Sequence, residues 1–281
     1  MKLVTFINES YVPIVRNFDL QLKKCNIKEE FVIYCTNKPT YDLLIDSKID
    51  REIHLSKIDL GTTSFSKPIN KNIPLDVMTK QYSTINIVKH HLVYKELQEN
   101  IYDPTRDWHN GSGMFLLVDT DMILFDNFIP DLVSLIRERH KERPFQGKPA
   151  NFAFKYYLNF NRKNNGIGNT GARSIINTGF MVFNANQHST IEITKEYINN
   201  LDTYVVTDKS ANIDEFLITN FFDKNHQNIA HIPDHIHMVS CKSKIYQPDD
   251  IEWLKTKTKS FHLTFTRDKI GFMKRAGHWY L

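Results

Sequence analysis

Residues 114–126 read Met-Phe-Leu-Leu-Val-Asp-Thr-Asp-Met-Ile-Leu-Phe-Asp, two apolar runs separated by a pair of carboxylates. An apolar run of strand length, Met114 to Val118, ends in two carboxylates, Asp119 and Asp121. A strand that is apolar throughout is typical of a parallel sheet buried on both faces, and ligands bind at the carboxyl edge of such sheets. Two crowded carboxylates suit a hard divalent cation. The stretch therefore predicts a cation site, with a solvated surface turn as the alternative.

The composition is that of an ordinary globular protein. The chain has 281 residues, of which 41% are hydrophobic and 24% are charged. This length suits one large α/β domain or two small ones. The net charge of +4 gives no large field for binding nucleic acid, so we expect no nucleic-acid partner.

Cysteine usage and hydropathy bear on the cellular compartment. Cys25, Cys35 and Cys241 do not pair evenly and lack metal-ligand spacing, which indicates free thiols in a reducing compartment. No apolar run reaches the length of a membrane span, and the N-terminus lacks a signal-peptide pattern. We therefore expect a cytoplasmic protein, or one that has lost a targeting segment.

The N-terminal region has the pattern of a βαβ unit. Leu3 to Ile7 and Phe31 to Cys35 are apolar runs of strand length, with residues at loosely helical spacing between them. Parallel strands require such a crossover, so a parallel sheet is expected. Asn8 and Tyr11 lie just past the first strand. Tyr11 either stacks on a nucleotide base or packs in the first helical turn.

A polar stretch and a long helix come next. Residues 56–74 are interrupted by glycine and proline and are predicted to form a loop or lid. A helix is predicted from about Leu75 to Leu97, because apolar residues recur there at helical spacing. Lys89 lies on the apolar stripe, so it needs an acidic partner or an anion unless its ammonium group reaches solvent.

Two later segments carry polar residues in unusual places. Ile175 to Asn184 is predicted to be a strand, although Asn177, Thr178 and Gly179 lie within it. Gly179 permits another group to approach the backbone closely, and Asn177 stands where a buried strand favours an apolar residue.

A later helix begins near Ile213 and carries Asp214 and Glu215 in its first turn. Asn212 followed by Glu215 fits a capping box, and acids are favoured at helix N-termini. A capping role and a catalytic role therefore both remain open for these carboxylates.

Near the C-terminus a histidine precedes a basic cluster. Phe261, Leu263 and Phe265 alternate with polar residues, so a strand would turn His262 away from the apolar side chains. Four basic residues follow: Arg267, Lys269, Lys274 and Arg275. A histidine followed by cations suits a metal and a diphosphate, and a solvated basic tail is the alternative.

In chain order, these features resemble the GT-A nucleotide-diphospho-sugar glycosyltransferases, and in particular the group containing plant and protist α-xylosyl and α-galactosyl transferases. The resemblance covers most of the chain. Its elements are the DxD motif Val118-Asp119-Thr120-Asp121, the strand Asn177-Thr178-Gly179-Phe180, the pair Asp214-Glu215 where the family usually has Asp-Gln, and His262 followed by Lys269, Lys274 and Gly277-His278-Trp279. A DxD motif alone is weakly specific, whereas four elements in family order are much more specific.

The resemblance implies a GT-A (Rossmann-like) α/β fold with a mixed, mostly parallel sheet flanked by helices. It implies one domain over residues 1–281, with a nucleotide-binding half at about 1–126 and an acceptor and C-terminal part at about 127–281. The implied activity transfers a sugar from a nucleotide-diphosphate donor, a UDP-sugar, to a glycan or protein acceptor. Retention at the anomeric carbon and Mn²⁺ or Mg²⁺ as cofactor are also implied.

The resemblance further implies roles for individual residues. Asp121 and His262 would be metal ligands, with Asp119 sharing the metal and contacting the ribose or donor sugar. Nucleotide or cofactor contacts are implied for Thr5, Asn8, Tyr11, Lys89, Asp119, Thr120, Lys269 and Lys274. Substrate contacts are implied for Asn177, Thr178 and Gly179. Asp214 and Glu215 occupy the catalytic position, where the carboxylate of Glu215 is either a nucleophile or a helix cap.

Two other classes of protein compete with a transferase. A haloacid-dehalogenase-type phosphatase has an Asp-x-Asp-Gly-Thr motif, but here Met122 and Ile123 replace its last two residues and the motif lies far from the N-terminus. A catalytically inactive sugar-nucleotide-binding or scaffold protein would have much the same sequence. Turnover of a sugar nucleotide with Mn²⁺ separates the transferase from the scaffold, and hydrolysis of a generic phosphate ester would support the phosphatase.

Overall fold

The computed structural model describes residues 1–56, 88–99, 111–138, 149–159, 173–202, 213–225, 228–240, 246–264, 266 and 268–281. Its first elements are β1 (Lys2–Ile7), α1 (Val12–Lys24), β2 (Glu30–Cys35), α2 (Lys38–Asp46) and β3 (Glu52–Leu55). The three strands pair in parallel, as the βαβ pattern predicted. Helix α2 begins where the side chain of Asn37 accepts the backbone N–H of Thr40, which satisfies a donor that the helix itself leaves unpaired.

The main sheet has seven strands in the order β3-β2-β1-β4-β7-β6-β8. Its further strands are β4 (Met114–Val118), β6 (Phe152–Asn159), β7 (Arg173–Asn184) and β8 (Ile229–His231). β7 runs antiparallel to both of its neighbours, and the other six strands share one direction. The predicted α/β fold with a mixed, mostly parallel sheet is therefore confirmed.

Helices cover both faces of this sheet. They include α3, described at residues 88–99, α4 (Ile129–Glu138), α5 (His188–Asp202) and α6 (Ile213–Asn225). Successive strand residues point to opposite faces, so Leu116 packs in the core formed with α1, α2 and α4, and Leu117 packs in the core formed with α3, α5 and α6. Burying each such side chain contributes about 1.5–3 kcal/mol. Both faces are apolar because both are covered.

A second sheet of three short strands lies at the end of β4. It consists of β5 (Met122–Leu124), β9 (His237–Val239) and β10 (Ser260–His262) in the order β5-β10-β9. Ile123, Met238 and Phe261 pack on one face, in an apolar cluster with α7 (Ile251–Lys255) and α8 (Lys269–Arg275). Met122 and Leu124 pack into the main core. The small sheet therefore anchors the C-terminal part of the chain beside the end of β4.

The predicted strand over 261–265 is shorter than its alternation suggested. It ends at His262, because the backbone N–H of Leu263 donates to the carbonyl oxygen of Asp121 at 3.0 Å. The predicted lid at 56–74, the first part of the predicted helix at 75–97 and the capping residue Asn212 lie almost entirely outside the described residues. Where the chain is described, its helices are too short or too polar to span a membrane.

Candidate active site

The two aspartates stand where β4 leaves the main sheet. The backbone N–H of Asp119 donates to the carbonyl oxygen of Gly179 at 2.8 Å, so the neighbouring strand β7 fixes the first residue after β4. The side chain of Asp119 is 33% exposed, whereas that of Asp121 is only 4% exposed. The alternative of a surface turn with two solvated aspartates is wrong, because Asp121 is buried.

His262 closes the site from the end of β10. Its Nε2 lies 3.2 Å from Oδ1 of Asp121 and 3.8 Å from Oδ2 of Asp119. One ligand atom from each of these three residues lies within 4.8 Å of the other two. We call Asp119, Asp121 and His262 the acid–histidine cluster. His262 is 2% exposed, so the predicted turn away from the apolar face takes it into an interior polar site, not into solvent.

Asn177 orients the imidazole ring. Its Oδ1 lies 3.3 Å from Nδ1 of His262, and both side chains are buried. An amide oxygen only accepts, so Nδ1 of the ring is assigned as the donor to Asn177, and loss of the Nε2 proton on binding a cation would leave a lone pair facing the carboxylates. This is the arrangement in which a histidine ligates a metal through one nitrogen and is held by a second-shell oxygen through the other.

Gly179 leaves room for the cluster. A Cβ added there would lie 2.4 Å from Cε1 of His262 and 2.5 Å from Oδ2 of Asp119, closer than real Cβ atoms approach other groups. The prediction that another group approaches the backbone at Gly179 is confirmed, and the approaching groups belong to the cluster itself. Thr178 beside it is buried.

A bulge in β7 places Asn177 and Gly179 beside the acid–histidine cluster. Pairing with β6 matches Ile176 to Tyr156 and Met181 to Phe154, so four residues of β7, Asn177–Phe180, face the single residue Lys155. Bulges bend a strand and redirect its side chains. Here the bulge presents Asn177 to His262 and brings Gly179 against Asp119.

Two lysines provide positive charge. Lys89 Nζ lies 3.5 Å from Oδ1 of Asp119, so the acidic partner expected for a lysine on a buried stripe is present. Lys269 Nζ donates to Oδ2 of Asp121 and, at 3.0 Å, to the hydroxyl of Tyr11. Burial by itself would raise the pKa of Asp121, but the neighbouring Lys269 and His262 outweigh it and hold that pKa far below its usual range. Asp121 is therefore ionised.

Tyr11 belongs to a short helical turn, Glu9–Tyr11, that leads into α1. Burial raises the pKa of its hydroxyl group. Tyr11 is half-buried and contacts Lys269, so it lies at the edge of the cluster and its ring packs where the first helical turn begins. Its contact with a nucleotide base stays a prediction.

Two amide side chains on α1 support the site and were not anticipated from the sequence. Gln21 donates to the carbonyl oxygen of Met122 at 3.0 Å and accepts the N–H of Leu124 at 2.8 Å, so it pins β5 directly after Asp121. Asn17 pairs in the same way with the carbonyl oxygen of His278 at 3.0 Å and the N–H of Tyr280 at 2.7 Å. The available signal was a polar pair four residues apart beside the apolar positions of α1.

Four further residues were predicted to contact the nucleotide or cofactor, and each has a different environment. Thr5 is buried in β1, and Oδ1 of Asn8 accepts the hydroxyl of Ser10 at 2.7 Å. The buried hydroxyl oxygen of Thr120 has no hydrogen-bond partner within the described part of the chain. Lys274 is exposed and its Nζ lies 5.8 Å from the ring centre of Trp279.

Asp214 and Glu215 lie in the first turn of α6. Glu215 is 6% exposed, and its carbonyl oxygen accepts the hydroxyl of Thr219 at 2.6 Å. The side chain of Asp214 lies outside the described atoms. Their catalytic roles stay predictions.

The acid–histidine cluster fits a divalent cation. Two carboxylate oxygens and an imidazole nitrogen converge, and Mn²⁺ accepts both kinds of ligand. A cation would also relieve the mutual repulsion of the two carboxylates. Asp119, Asp121 and His262 would hold it.

No family model and no curated protein sequence matches the chain. Among solved structures, the chain is similar to the galactosyltransferase LgtC in complex with donor and acceptor sugar analogues, at 13% identity and a TM-score of 0.48, covering 99% of this chain and 95% of that one. It is also similar to the glycosyltransferase GlyE of Streptococcus pneumoniae TIGR4, at 9% identity and a TM-score of 0.48, where it covers 98% of this chain and 60% of that one. Such values describe a likeness and leave the activity to be inferred from the chain's own residues.

Proposed function

We propose that the protein is a metal-dependent glycosyltransferase that moves a sugar from a nucleotide-diphosphate donor, a UDP-sugar, to a glycan or protein acceptor. The observation that carries this proposal is the convergence of Asp119, Asp121 and His262 at the carboxyl end of β4, with Lys269 beside them. A diphosphate would be bound both by the divalent cation that these three residues would hold and by the positive charge of Lys269. The identification of the donor as a sugar linked to UDP rests on the family resemblance.

The chemistry of such a transfer fits the residues present. The bond from the anomeric carbon to the β-phosphate oxygen breaks, and its electron pair leaves with the nucleoside diphosphate. A bond to the acceptor oxygen forms, and the departing phosphate takes the acceptor proton. When bound, a divalent cation supplies Lewis-acid neutralisation of the charge on the diphosphate. Retention at the anomeric carbon is the stereochemistry that the family resemblance implies.

The chain's own residues have distinct parts in this proposal. Lys269 stabilises the negative charge that develops on the leaving group. Lys89 holds Oδ1 of Asp119, which leaves Oδ2 for the cation. Asn177 keeps Nε2 of His262 directed at the cluster. The carboxylates at the start of α6, Asp214 and Glu215, act on the donor sugar.

The proposed division of the single domain follows from these parts. The half at about 1–126 supplies both aspartates, Lys89 and Tyr11 for the nucleotide. The part at about 127–281 supplies Asn177, His262 and Lys269, and would also bind the acceptor. The site is thus completed only when both halves are folded together.

Binding of UDP with and without Mn²⁺ tests the proposal. Calorimetry should show that Mn²⁺ raises the affinity for UDP in the wild-type protein, and release of UDP from UDP-glucose or UDP-galactose should follow. Asp121→Asn keeps the side-chain shape but should weaken Mn²⁺-dependent UDP binding by about 100-fold, since a charged ligand is lost. Asp126→Asn is the matched control, because Asp126 lies in the same stretch and is exposed. Unchanged UDP affinity for Asp121→Asn in Mn²⁺ would show that the metal assignment is wrong.

The same experiment separates the rival functions. A scaffold protein would bind UDP with Mn²⁺ but release no UDP from either sugar nucleotide. A phosphatase would instead hydrolyse a generic ester such as p-nitrophenyl phosphate. Turnover of a UDP-sugar without hydrolysis of the ester supports the transferase.

A further inference from the structure

A single buried hydroxyl group joins helix α6 to the bulge of β7. Oγ1 of Thr219 accepts the backbone N–H of Ile176 at 3.0 Å and donates to the carbonyl oxygen of Glu215 at 2.6 Å. Thr219 is 1% exposed, so both bonds lie in the interior, where an unmade bond leaves a costly unpaired group. The hydroxyl has one proton to donate and lone pairs to accept, and here it does both.

The position of this link is informative. Ile176 is the last residue to pair with β6 before the bulge, and Asn177 follows it directly. Glu215 lies one helical turn before Thr219, at the start of α6. A continuous chain of contacts therefore runs from Glu215 through Thr219 and Ile176 to Asn177, and from there to His262 of the acid–histidine cluster.

We propose that Thr219 is a positioning residue for sugar transfer. It fixes the first turn of α6, which carries Asp214 and Glu215, relative to the bulge and thus to the acid–histidine cluster. This proposal rests on the proposed function, because it assigns the carboxylates of α6 to the donor sugar and the cluster to the diphosphate. Thr219 itself contacts neither.

A change at Thr219 should therefore affect the two ends of the site differently. The ligands of the cluster and the two lysines beside it come from β4, β10, α3 and α8, and β4 also holds the bulge through the bond of Asp119 to Gly179. Binding of Mn²⁺ and UDP should therefore depend little on where α6 begins. The reaction does depend on it, because a displacement of about 1 Å in a positioning group can cost about 100-fold in rate. The expected signature is a loss in kcat with little change in affinity.

Three variants test the proposal. Thr219→Val keeps the shape of the side chain but removes both hydrogen bonds, and Thr219→Ser keeps both. Thr194→Val is the control, because Thr194 is 0% exposed in α5 and its hydroxyl makes the same kind of bond, to the carbonyl oxygen of Thr190 at 2.6 Å. The measurements are kcat for release of UDP from UDP-glucose or UDP-galactose, the Kd for UDP with Mn²⁺, and Tm.

Thr219→Val should lower kcat by about tenfold or more while the Kd for UDP with Mn²⁺ stays within about twofold. Thr219→Ser should restore kcat to within about threefold of wild type, and Thr194→Val should leave it unchanged although its Tm falls. A Thr219→Val protein with reduced Tm and normal kcat would overturn the proposal, since Thr219 would then contribute stability alone. Equal losses in kcat and UDP affinity would overturn it too.

Hydrogen exchange keeps this test separate from the proposed function. If the wild-type protein releases no UDP from either sugar nucleotide, the proposed function fails, and exchange decides the link by itself. Thr219→Val should then speed amide exchange in residues 173–180 and 213–219 together, whereas Thr194→Val should not. Unchanged exchange in both segments would show that Thr219 does not couple them.

Discussion

The carbonyl oxygen of Gly179 accepts the backbone N–H of Asp119 at 2.8 Å, and a Cβ on Gly179 would lie 2.5 Å from Oδ2 of the same aspartate. This hydrogen bond can form only because residue 179 lacks a side chain, since a Cβ there would collide with the Asp119 carboxylate. Strand β7 holds Asp119 by its main chain and must lack a side chain at that point. Because residue 179 has no side chain, the carboxylate of Asp119 can remain in the acid–histidine cluster.

Gly179→Ala should accordingly disable the cluster. The new methyl group must displace His262 or Asp119, so the Kd for Mn²⁺ should rise by about tenfold or more. Calorimetric titration of Mn²⁺ measures this directly. Gly111→Ala is the control, because Gly111 precedes the start of β4 and the cluster lies at the other end of that strand. The Cβ of this variant would lie 2.7 Å from Cγ2 of Val133. It should lower Tm and leave the Kd for Mn²⁺ unchanged; the same loss of affinity in both variants would contradict a local effect.

Lys269→Met should have two opposite effects. Lys269 competes with a metal ion for Asp121, so its removal should tighten binding of Mn²⁺ alone by about tenfold. Binding of UDP in saturating Mn²⁺ should weaken by about tenfold, because the diphosphate loses a positive partner. Separate titrations of Mn²⁺ and of UDP distinguish the two effects.

Arg275→Met is the matched control for Lys269, since Arg275 lies in the same helix and is exposed. Neither titration should change in that variant. Loss of UDP binding in Lys274→Met but not in Lys269→Met would assign the diphosphate to Lys274 instead.

Glu215→Gln restores the residue that is usual in the family and keeps the shape of the side chain. We expect the variant to stay folded and to retain most of its turnover, because the family chemistry proceeds with an amide there. Asp214→Asn should be more damaging, because that carboxylate matches the pattern of the glycosyltransferases that the sequence resembles and is proposed to orient the donor sugar. Turnover, donor affinity and Tm are the measurements. A Glu215→Gln protein that melts and binds normally but is nearly inactive would indicate a covalent role for Glu215.

His237 should make stability depend on pH. Burial lowers its pKa well below 6.5, and His262 and Lys155 lower it further. As the pH falls below about 6.5 the unfolded chain gains a proton that the folded protein does not, so stability is lost with a slope of up to about 1.4 kcal/mol per pH unit. Above that pH the contribution is fully retained.

Urea unfolding at about pH 7.5 and about pH 5.5 checks this effect. His237→Gln should lose less stability between the two pH values than the wild type. His188→Gln is the control, because the side chain of His188 is 77% exposed, and it should behave as the wild type does. An equal drop in His237→Gln and wild type would contradict the assignment.

Local patterns predicted most of the elements, because each is decided by residues close together in the chain. β4 was recognisable because all five of its residues are apolar, and they are buried. The strand end at Asp119 followed from the end of the apolar run. The need of Lys89 for a partner followed from the cost of burying unpaired charge, and Asp119 is that partner. The side of the strand on which His262 lies followed from the alternation of Phe261, Leu263 and Phe265 with polar residues.

The contacts that complete the site were not predictable, because they join residues far apart in sequence. The Gln21 bonds to Met122 and Leu124 bridge about a hundred residues, and nothing local in α1 specifies the partner strand. The end of β10 at His262 is likewise imposed by a backbone bond between Leu263 and Asp121. Tertiary contacts of this kind override a local alternation.

The bulge at Asn177–Phe180 also bears on how this chain can change during evolution. On the two sides of the bulge, β7 pairs with β6 in two different registers: Ile176 lies opposite Tyr156, and Met181 lies opposite Phe154. A residue inserted between Asn177 and Thr178 shifts neither pairing and leaves Phe180 opposite Val118 of β4, whereas one at Val182 would turn every core side chain beyond it to the opposite face. Variation in length can thus be absorbed beside the acid–histidine cluster while the sheet on either side of the bulge keeps its register.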